Sequence, residues 1–201
     1  MIIILLGPDG VGKTTIAQAL AKKLNYNYFY GGARNPESWL LKRRQRKASS
    51  KQNNNLSSEQ IGKKQKKRSS KKISLYSKIR KQLSMFLLIY DGYLKLKKLK
   101  SCKENYILDR SVIDVFVQND FMWEWPLKNR LLKYLLKDID EVHLLYVDPL
   151  LIYERKQELP VSEIGLQLDK FKDIVSLLKK GKCIDNTFPI DEVVKELSND
   201  K

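Results

Sequence analysis

Cysteine, histidine, acidic residues and long apolar runs are all scarce in this chain, and each scarcity closes off a class of protein. The two cysteines, Cys102 and Cys183, are too few and too far apart for a disulfide framework or a zinc site, so a reduced, cytoplasmic setting is the default expectation. The single histidine, His143, lies inside the strand-like run 142–147, where a packed residue is expected in preference to a catalytic one. No stretch approaches the roughly 20 apolar residues of a membrane-spanning helix; the longest candidate, residues 85–90, is far too short. The first apolar run leads straight into a glycine-rich loop, so no secretory signal is expected.

The shortage of acid is local. Against 39 Lys+Arg stand 23 Asp+Glu, a net charge of +16, and residues 42–72 hold thirteen of those cations with Glu59 as their one acid. That segment therefore carries +12 and the rest of the 201 residues only +4. The charge belongs to an insert and not to a fold. Within it, residues 48–70 are rich in Ser, Asn, Gln and Lys, with Leu56 and Ile61 as the only sizeable apolar side chains. So little apolar surface cannot offset the entropy of ordering, and a mobile loop is expected there.

What the chain does have is Gly7-Pro8-Asp9-Gly10-Val11-Gly12-Lys13-Thr14, the complete pattern G-x-x-x-x-G-K-T of a phosphate-binding loop. It follows the apolar run 2–6, short enough for a buried parallel strand. It precedes residues 15–24, where Ile16, Ala19, Leu20 and Leu24 recur at helical spacing. Gly7, Gly10, Val11, Gly12, Lys13, Thr14 and Thr15 are the candidate nucleotide-binding set. Glycines let backbone N–H groups converge on phosphate oxygens at a helix N-terminus. Lys13 is placed to reach the β- and γ-phosphates, and the Thr14 hydroxyl to ligate Mg²⁺.

Downstream, the pattern alternates strand and helix. Strands are expected at 26–30, 106–108, 141–147 and 183–184. Helices are expected at 73–100 (with a bend at Asp91-Gly92), 127–137 behind Pro126, from 149 to 156, at 163–178 ended by Gly181, and at 191–197. The long helix would present Ile73, Tyr76, Ile79, Leu83, Phe86, Leu87, Tyr90 and Leu94 as its apolar stripe. Such alternation predicts an α/β fold, a three-layer P-loop NTPase sandwich with an approximately five-stranded parallel sheet and helices on both faces. One domain is expected over residues 1–201, interrupted by the basic insert. Ligands in such a sheet lie beyond the carboxyl ends of the strands. Asp109-Arg110 falls at such an end, where an acid can hold Mg²⁺ and a neighbouring arginine can fork onto a phosphate.

Together, Gly7 to Thr15, Asp109-Arg110-Ser111, Tyr153-Glu154-Arg155-Lys156 and Ile184-Asp185-Asn186 resemble the thymidylate kinase family, nearest to its divergent members. The resemblance implies an ATP- and Mg²⁺-dependent kinase. It implies that Asp9 faces the sugar hydroxyl of the acceptor and that Arg110 binds the acceptor phosphate. It implies that Arg155, with Lys156, clamps the transferring group, that the stretch Ile184-Asp185-Asn186-Thr187, with Asp185 as its candidate nucleotide-binding residue, lies near adenine, and that Thr14 and Asp109 hold the metal. Related kinases are often dimers, so the resemblance also leaves a homodimer open. The chain departs from the family on the acceptor side. Residues 31–36 read Gly-Gly-Ala-Arg-Asn-Pro, leaving Arg34 as the one stand-in for an arginine-bearing acceptor loop. Residues 85–91 carry no arginine, and residues 114–118 replace a Ser-x-x-Ala-Tyr-Gln stretch.

The expected activity is transfer of the γ-phosphoryl group of ATP to a nucleoside monophosphate or related phosphorylated small molecule, with Lys13, Arg110 and Arg155 spreading positive charge over the phosphates. Ordinary structural roles remain open. Asp9 suits a turn before glycine, Asp109-Arg110 suits a strand-end ion pair, and Arg155 and Lys156 suit a helix C-terminus. The alternative activity is that of a P-loop ATPase held on nucleic acid or another polyanion by its basic insert; an anionic membrane surface would attract the same cations. The insert lacks the interleaved aromatics of a base-stacking surface, and a solvated neutral loop is equally open. No Asn-Lys-x-Asp stretch for guanine recognition is present.

Overall fold

The computed structural model describes residues 1–32, 75–178 and 180–199. The chain divides into two compact units, residues 1–32 with 92–201, and residues 33–91. Arg34 and the basic insert 42–72 lie outside the described residues, as does the expectation of a mobile loop at 48–70. Of the second unit, only the helical stretch 75–91 is described.

The first unit begins with β1 (Ile2–Leu6), followed by the phosphate-loop sequence and α1 (Lys13–Leu24). Then come β2 (Asn27–Tyr30), α2 (Leu75–Ser101, which enters this unit at Gly92) and β3 (Tyr106–Asp109). Two five-residue helices follow, α3 (Ile113–Val117) and α4 (Asp120–Glu124), then α5 (Lys128–Leu136), β4 (Glu141–Tyr146), α6 (Pro149–Arg155), α7 (Val161–Ser176), β5 (Gly181–Asp185) and α8 (Ile190–Ser198).

The five strands pair in the order β2-β3-β1-β4-β5, all parallel. β1 is central and buried along its whole length, which is why it reads as an unbroken apolar run and not as an alternation. Its odd residues Ile3 and Leu5 join Ile16, Ala17 and Leu20 of α1 and Val193, Val194 and Leu197 of α8 in one core cluster. Ile2, Ile4 and Leu6 point to the opposite face by the two-residue period of a strand and are as deeply buried. Helices thus cover both faces, and the fold is the α/β sandwich of P-loop NTPases.

Several local expectations are revised. In the part of α2 belonging to the first unit, Leu94 is exposed while Leu96 and Leu99 are buried, so the core-facing stripe lies elsewhere than the one expected. Pro126 precedes α5 in a turn and is not its first residue; Leu127 occupies the N-cap. Gly181 opens β5, while Leu177 caps α7. A Cβ on Gly181 would stand 2.5 Å from the Val175 carbonyl oxygen, so a close approach and not a helix stop demands glycine there.

Register fixes the functional edge. Leu5 of β1 lies opposite Asp109 of β3, Leu6 opposite Leu144 of β4, and Tyr146 opposite Asp185 of β5. The phosphate loop, Asp109-Arg110 and Asp185-Asn186 therefore all emerge at the same carboxyl edge.

Candidate nucleotide-binding site

The loop between β1 and α1 turns on glycines with φ of +143° at Gly7, +93° at Gly10 and +97° at Gly12. Gly12 is required on two counts. Its φ lies in the left-handed region that L side chains avoid, and a Cβ there would stand 2.8 Å from Asn186 Nδ2. Lys13 opens α1 and is buried; its Nζ donates to the carbonyl oxygens of Gly7 and Pro8, both at 2.7 Å, and lies 3.6 Å from Asp9 Oδ1. Burial pulls the Lys13 pKa below the usual lysine value, against the opposing fields of Asp114 and Asp9.

Thr14 and Asp109 meet at once. Thr14 Oγ1 donates to Asp109 Oδ2 at 2.5 Å, and Tyr28 OH donates to the same oxygen at 3.2 Å. Asp109 is 0% exposed, and its other oxygen, Oδ1, has no hydrogen-bond partner among the described residues. Burial, then the adjacent Asp109 carboxylate, pushes the Tyr28 phenol up to about 12.

Arg110 has a φ of +70°, uncommon for a residue with a side chain. Its Nη2 donates to Asp9 Oδ1, the oxygen that also faces Lys13. Burial of Arg110 works against its charge, but Asp9 and Asp114 outweigh it and hold the pKa above the ordinary arginine value. A cavity of about 290 Å³ opens beside these groups, lined by Asp9, Gly10, Gly12, Lys13, Thr14, Thr15, Arg110 and Lys156. Of the sequence-identified set, Val11 is buried beneath the loop. The Gly7 carbonyl serves Lys13.

Arg155 lies exposed in the last turn of α6, while its neighbour Lys156 lines the cavity and pairs with Glu158 at 3.2 Å. Asp185 Oδ1 accepts from Thr187 N at 2.9 Å and from Thr187 Oγ1 at 2.8 Å, so this oxygen shapes its own turn.

Two further residues take part. Asp114 accepts from Ser111 N at 2.8 Å while Ser111 Oγ accepts from Ile113 N at 3.1 Å, a reciprocal arrangement like a capping box. The Ser-x-x-Asp spacing after Asp109-Arg110 carries that signal. Burial raises the Asp114 carboxyl above its usual pKa despite the opposing charge of Lys13. The second is Asn186, part of the Ile184-Asp185-Asn186 motif, whose Nδ2 donates to Val11 O at 2.6 Å; the motif does not announce that contact.

Three solved structures share this fold. A Bacillus subtilis protein, YorR, in complex with phosphorylated GDP, is 18% identical, with 98% of this chain and 93% of that one covered and a TM-score of 0.59. A deoxyadenosine kinase from M. mycoides with products dCMP and a flexible dCDP is 15% identical, covering 100% and 98%, with a TM-score of 0.57. A shikimate kinase from Bacteroides thetaiotaomicron is 14% identical, covering 98% and 96%, with a TM-score of 0.54. Comparison with curated proteins finds no match. The phosphate loop, the first four strands of the parallel sheet and the strand-end acid all lie within residues 1–161, which match the family model of the NACHT domain, and the chain belongs to that family of P-loop NTPase domains.

Proposed function

We propose that the protein is a phosphotransferase that moves the γ-phosphoryl group of Mg-ATP to a phosphorylated small molecule, a nucleoside monophosphate of thymidylate type being the reference acceptor. The observation that carries this reading is Arg110. A partly buried guanidinium stands at the end of the strand beside the phosphate loop, on a left-handed backbone, held by the loop's own Asp9. Nucleotide binding needs Lys13 and the loop amides; a second fixed cation across the same cavity suits a second anionic substrate.

The residues fit a magnesium ion. Asp109 Oδ1 is a buried carboxylate oxygen without a partner among the described residues, and Thr14 Oγ1 lies against the same carboxylate. These are hard oxygen donors, and magnesium takes one or two carboxylates with the rest from phosphates and water. Bound there, the ion would neutralise charge on the phosphate oxygens. The chain's own part is positioning and electrostatics. Glycine amides orient the phosphates, Lys13 reaches toward the transferring group, Arg110 orients the acceptor, and Lys156 on the cavity wall adds positive charge beside Arg155. Asp9 holds Arg110 and faces the acceptor. An acceptor phosphate oxygen is already an anion, so no protein base is required.

Membership of an NTPase domain family favours one second reading, hydrolysis of ATP without an acceptor. The test is ADP formation from Mg-ATP against a panel of nucleoside monophosphates, nucleosides and sugar phosphates. Acceptor-dependent turnover that Lys13→Ala abolishes supports the kinase. Turnover indifferent to every acceptor, or stimulated by nucleic acid, supports the ATPase and turns attention to the basic insert. Among the described residues no helix is long and apolar enough to cross a membrane. A homodimer and a polyanion contact through residues 42–72 remain parts of the proposal.

A further inference from the structure

Asn186 stands behind the phosphate loop. We infer that it is a positioning residue for phosphate binding, one that aims the loop amides from the far side of the loop. This rests on the nucleotide-binding reading above and extends it to a residue on another strand.

Asn186 is itself firmly placed. Its backbone N–H donates to Tyr146 O at 2.9 Å, continuing the β4–β5 ladder one residue past the Tyr146–Asp185 pair. The turn beyond it is closed by Thr187 N and Oγ1 on Asp185 Oδ1. From that anchorage the carboxamide Nδ2 donates to Val11 O at 2.6 Å. A trans peptide is planar, so its C=O and the next N–H point in opposite directions. Holding the Val11 carbonyl on Asn186 therefore turns the Gly12 N–H away from Asn186. Gly12 lines the cavity with Lys13 and Thr14, so its amide is directed to the side where phosphate would bind. The missing side chain at Gly12 belongs to the same device, because a Cβ there would collide with Asn186 Nδ2 at 2.8 Å. Asp185, whose Oδ1 is spent on its own turn, serves by presenting Asn186.

The test compares the affinities of ATP and of inorganic tripolyphosphate, both with Mg²⁺, for the unaltered chain, Asn186→Ala and Asn186→Asp. Tripolyphosphate has no base or sugar, so it reads the loop alone. Loss of one positioning hydrogen bond predicts a fall on the order of tenfold for both probes in Asn186→Ala. The fall is larger in Asn186→Asp, which has the same shape but sets an acceptor against a carbonyl. Binding of tripolyphosphate unchanged in both variants, or a fall confined to ATP, overturns the inference and makes Asn186 a base or sugar contact. A milder loss in Asn186→Asp than in Asn186→Ala also overturns it, because shape alone would then suffice. Magnetic resonance on the unaltered chain avoids dependence on variant folding. The Gly12 amide and the Asn186 carboxamide should shift together on adding tripolyphosphate, and a Gly12 shift with an unmoved Asn186 contradicts the coupling. If the unaltered chain binds neither probe, the nucleotide-binding reading itself fails, and that outcome is distinct from all the others.

Discussion

The hydroxyl of Thr14 and the carboxylate of Asp109, 95 positions apart in sequence, meet at 2.5 Å, while the second oxygen of that buried carboxylate has no partner among the described residues. Parallel pairing of β1 and β3 brings the first turn of α1 and the end of β3 to one edge, and the result is a pair of hard oxygen donors. Asp109→Asn replaces a charged ligand by a neutral one of the same shape. Its affinity for ATP should fall by at least about tenfold in Mg²⁺, since charge-assisted ligation is lost. In excess chelator it should match the parent. Calorimetric titration in the two conditions makes the comparison, and an equal loss in both would show that Asp109 acts on the fold and not through a metal.

Tyr28 reports on the same carboxylate. Its phenol is held at about 12 by burial first and Asp109 second. The neutral form is favoured in the folded chain, so this contribution to stability is complete below the ordinary tyrosine pKa of about 10 and is lost as pH rises through the folded value. Difference absorbance between the parent and Tyr28→Phe isolates the transition from that of Tyr106, which also titrates near 12. In Asp109→Asn the Tyr28 transition should move down toward 10 without reaching it, because burial remains. A transition that stays put would mean that the Tyr28–Asp109 contact does not form in solution.

Asp114 makes a prediction about stability and pH. Burial raises its pKa in the fold above the ordinary value of 3.8, so the ionised carboxylate opposes folding. The penalty is absent below the unfolded pKa and grows as pH rises from there through the folded value. Asn at this position keeps an oxygen acceptor for Ser111 N and removes the charge. Asp114→Asn should therefore melt above the parent at neutral pH, with the advantage fading as pH falls toward 3.8. Thermal melts across that range decide it; a variant less stable at neutral pH would show that pairing with Lys13 and Arg110 outweighs burial.

Gly31 sets the backbone of Arg110. Its N–H donates to Asp109 O at 2.9 Å, and a Cβ added there would stand 2.2 Å from Arg110 O. Gly31→Ala must displace the strand end that carries the left-handed arginine. The expected cost is roughly 1–3 kcal/mol in stability. The KM for the acceptor should rise by more than the KM for ATP, because Arg110 moves and the phosphate loop does not. Equal changes in both constants would remove Arg110 from the acceptor side.

The legible parts of the molecule were those with local patterns. Gly7 to Thr14 declares its loop by spacing, and Asp109-Arg110 declares a strand end by following an apolar run. Strand order is a long-range property and could not be read. The helices α3 and α4 are five residues each, too short for a helical period to emerge. Gly181 looked like a helix stop because close backbone approach and helix termination call for the same residue. Leu94 looked like core because the stripe 73–94 has helical spacing whether or not a partner covers it. Asn186 was singled out only within the Ile184-Asp185-Asn186 motif, and its contact with the phosphate loop was invisible for a different reason: it depends on a carbonyl 175 positions away. The resemblance to thymidylate kinases led to the correct fold, while the comparisons reach only the level of P-loop NTPase domains.

The central claim is that this site transfers a phosphoryl group and does not merely release one. The most direct measurement follows the γ-phosphoryl group of labelled Mg-ATP in the presence of nucleoside monophosphates. The account predicts label in an organic phosphate product, with ADP formed in equal amount and both lost in Lys13→Ala. Label appearing only as inorganic phosphate, at a rate no acceptor alters, would contradict it.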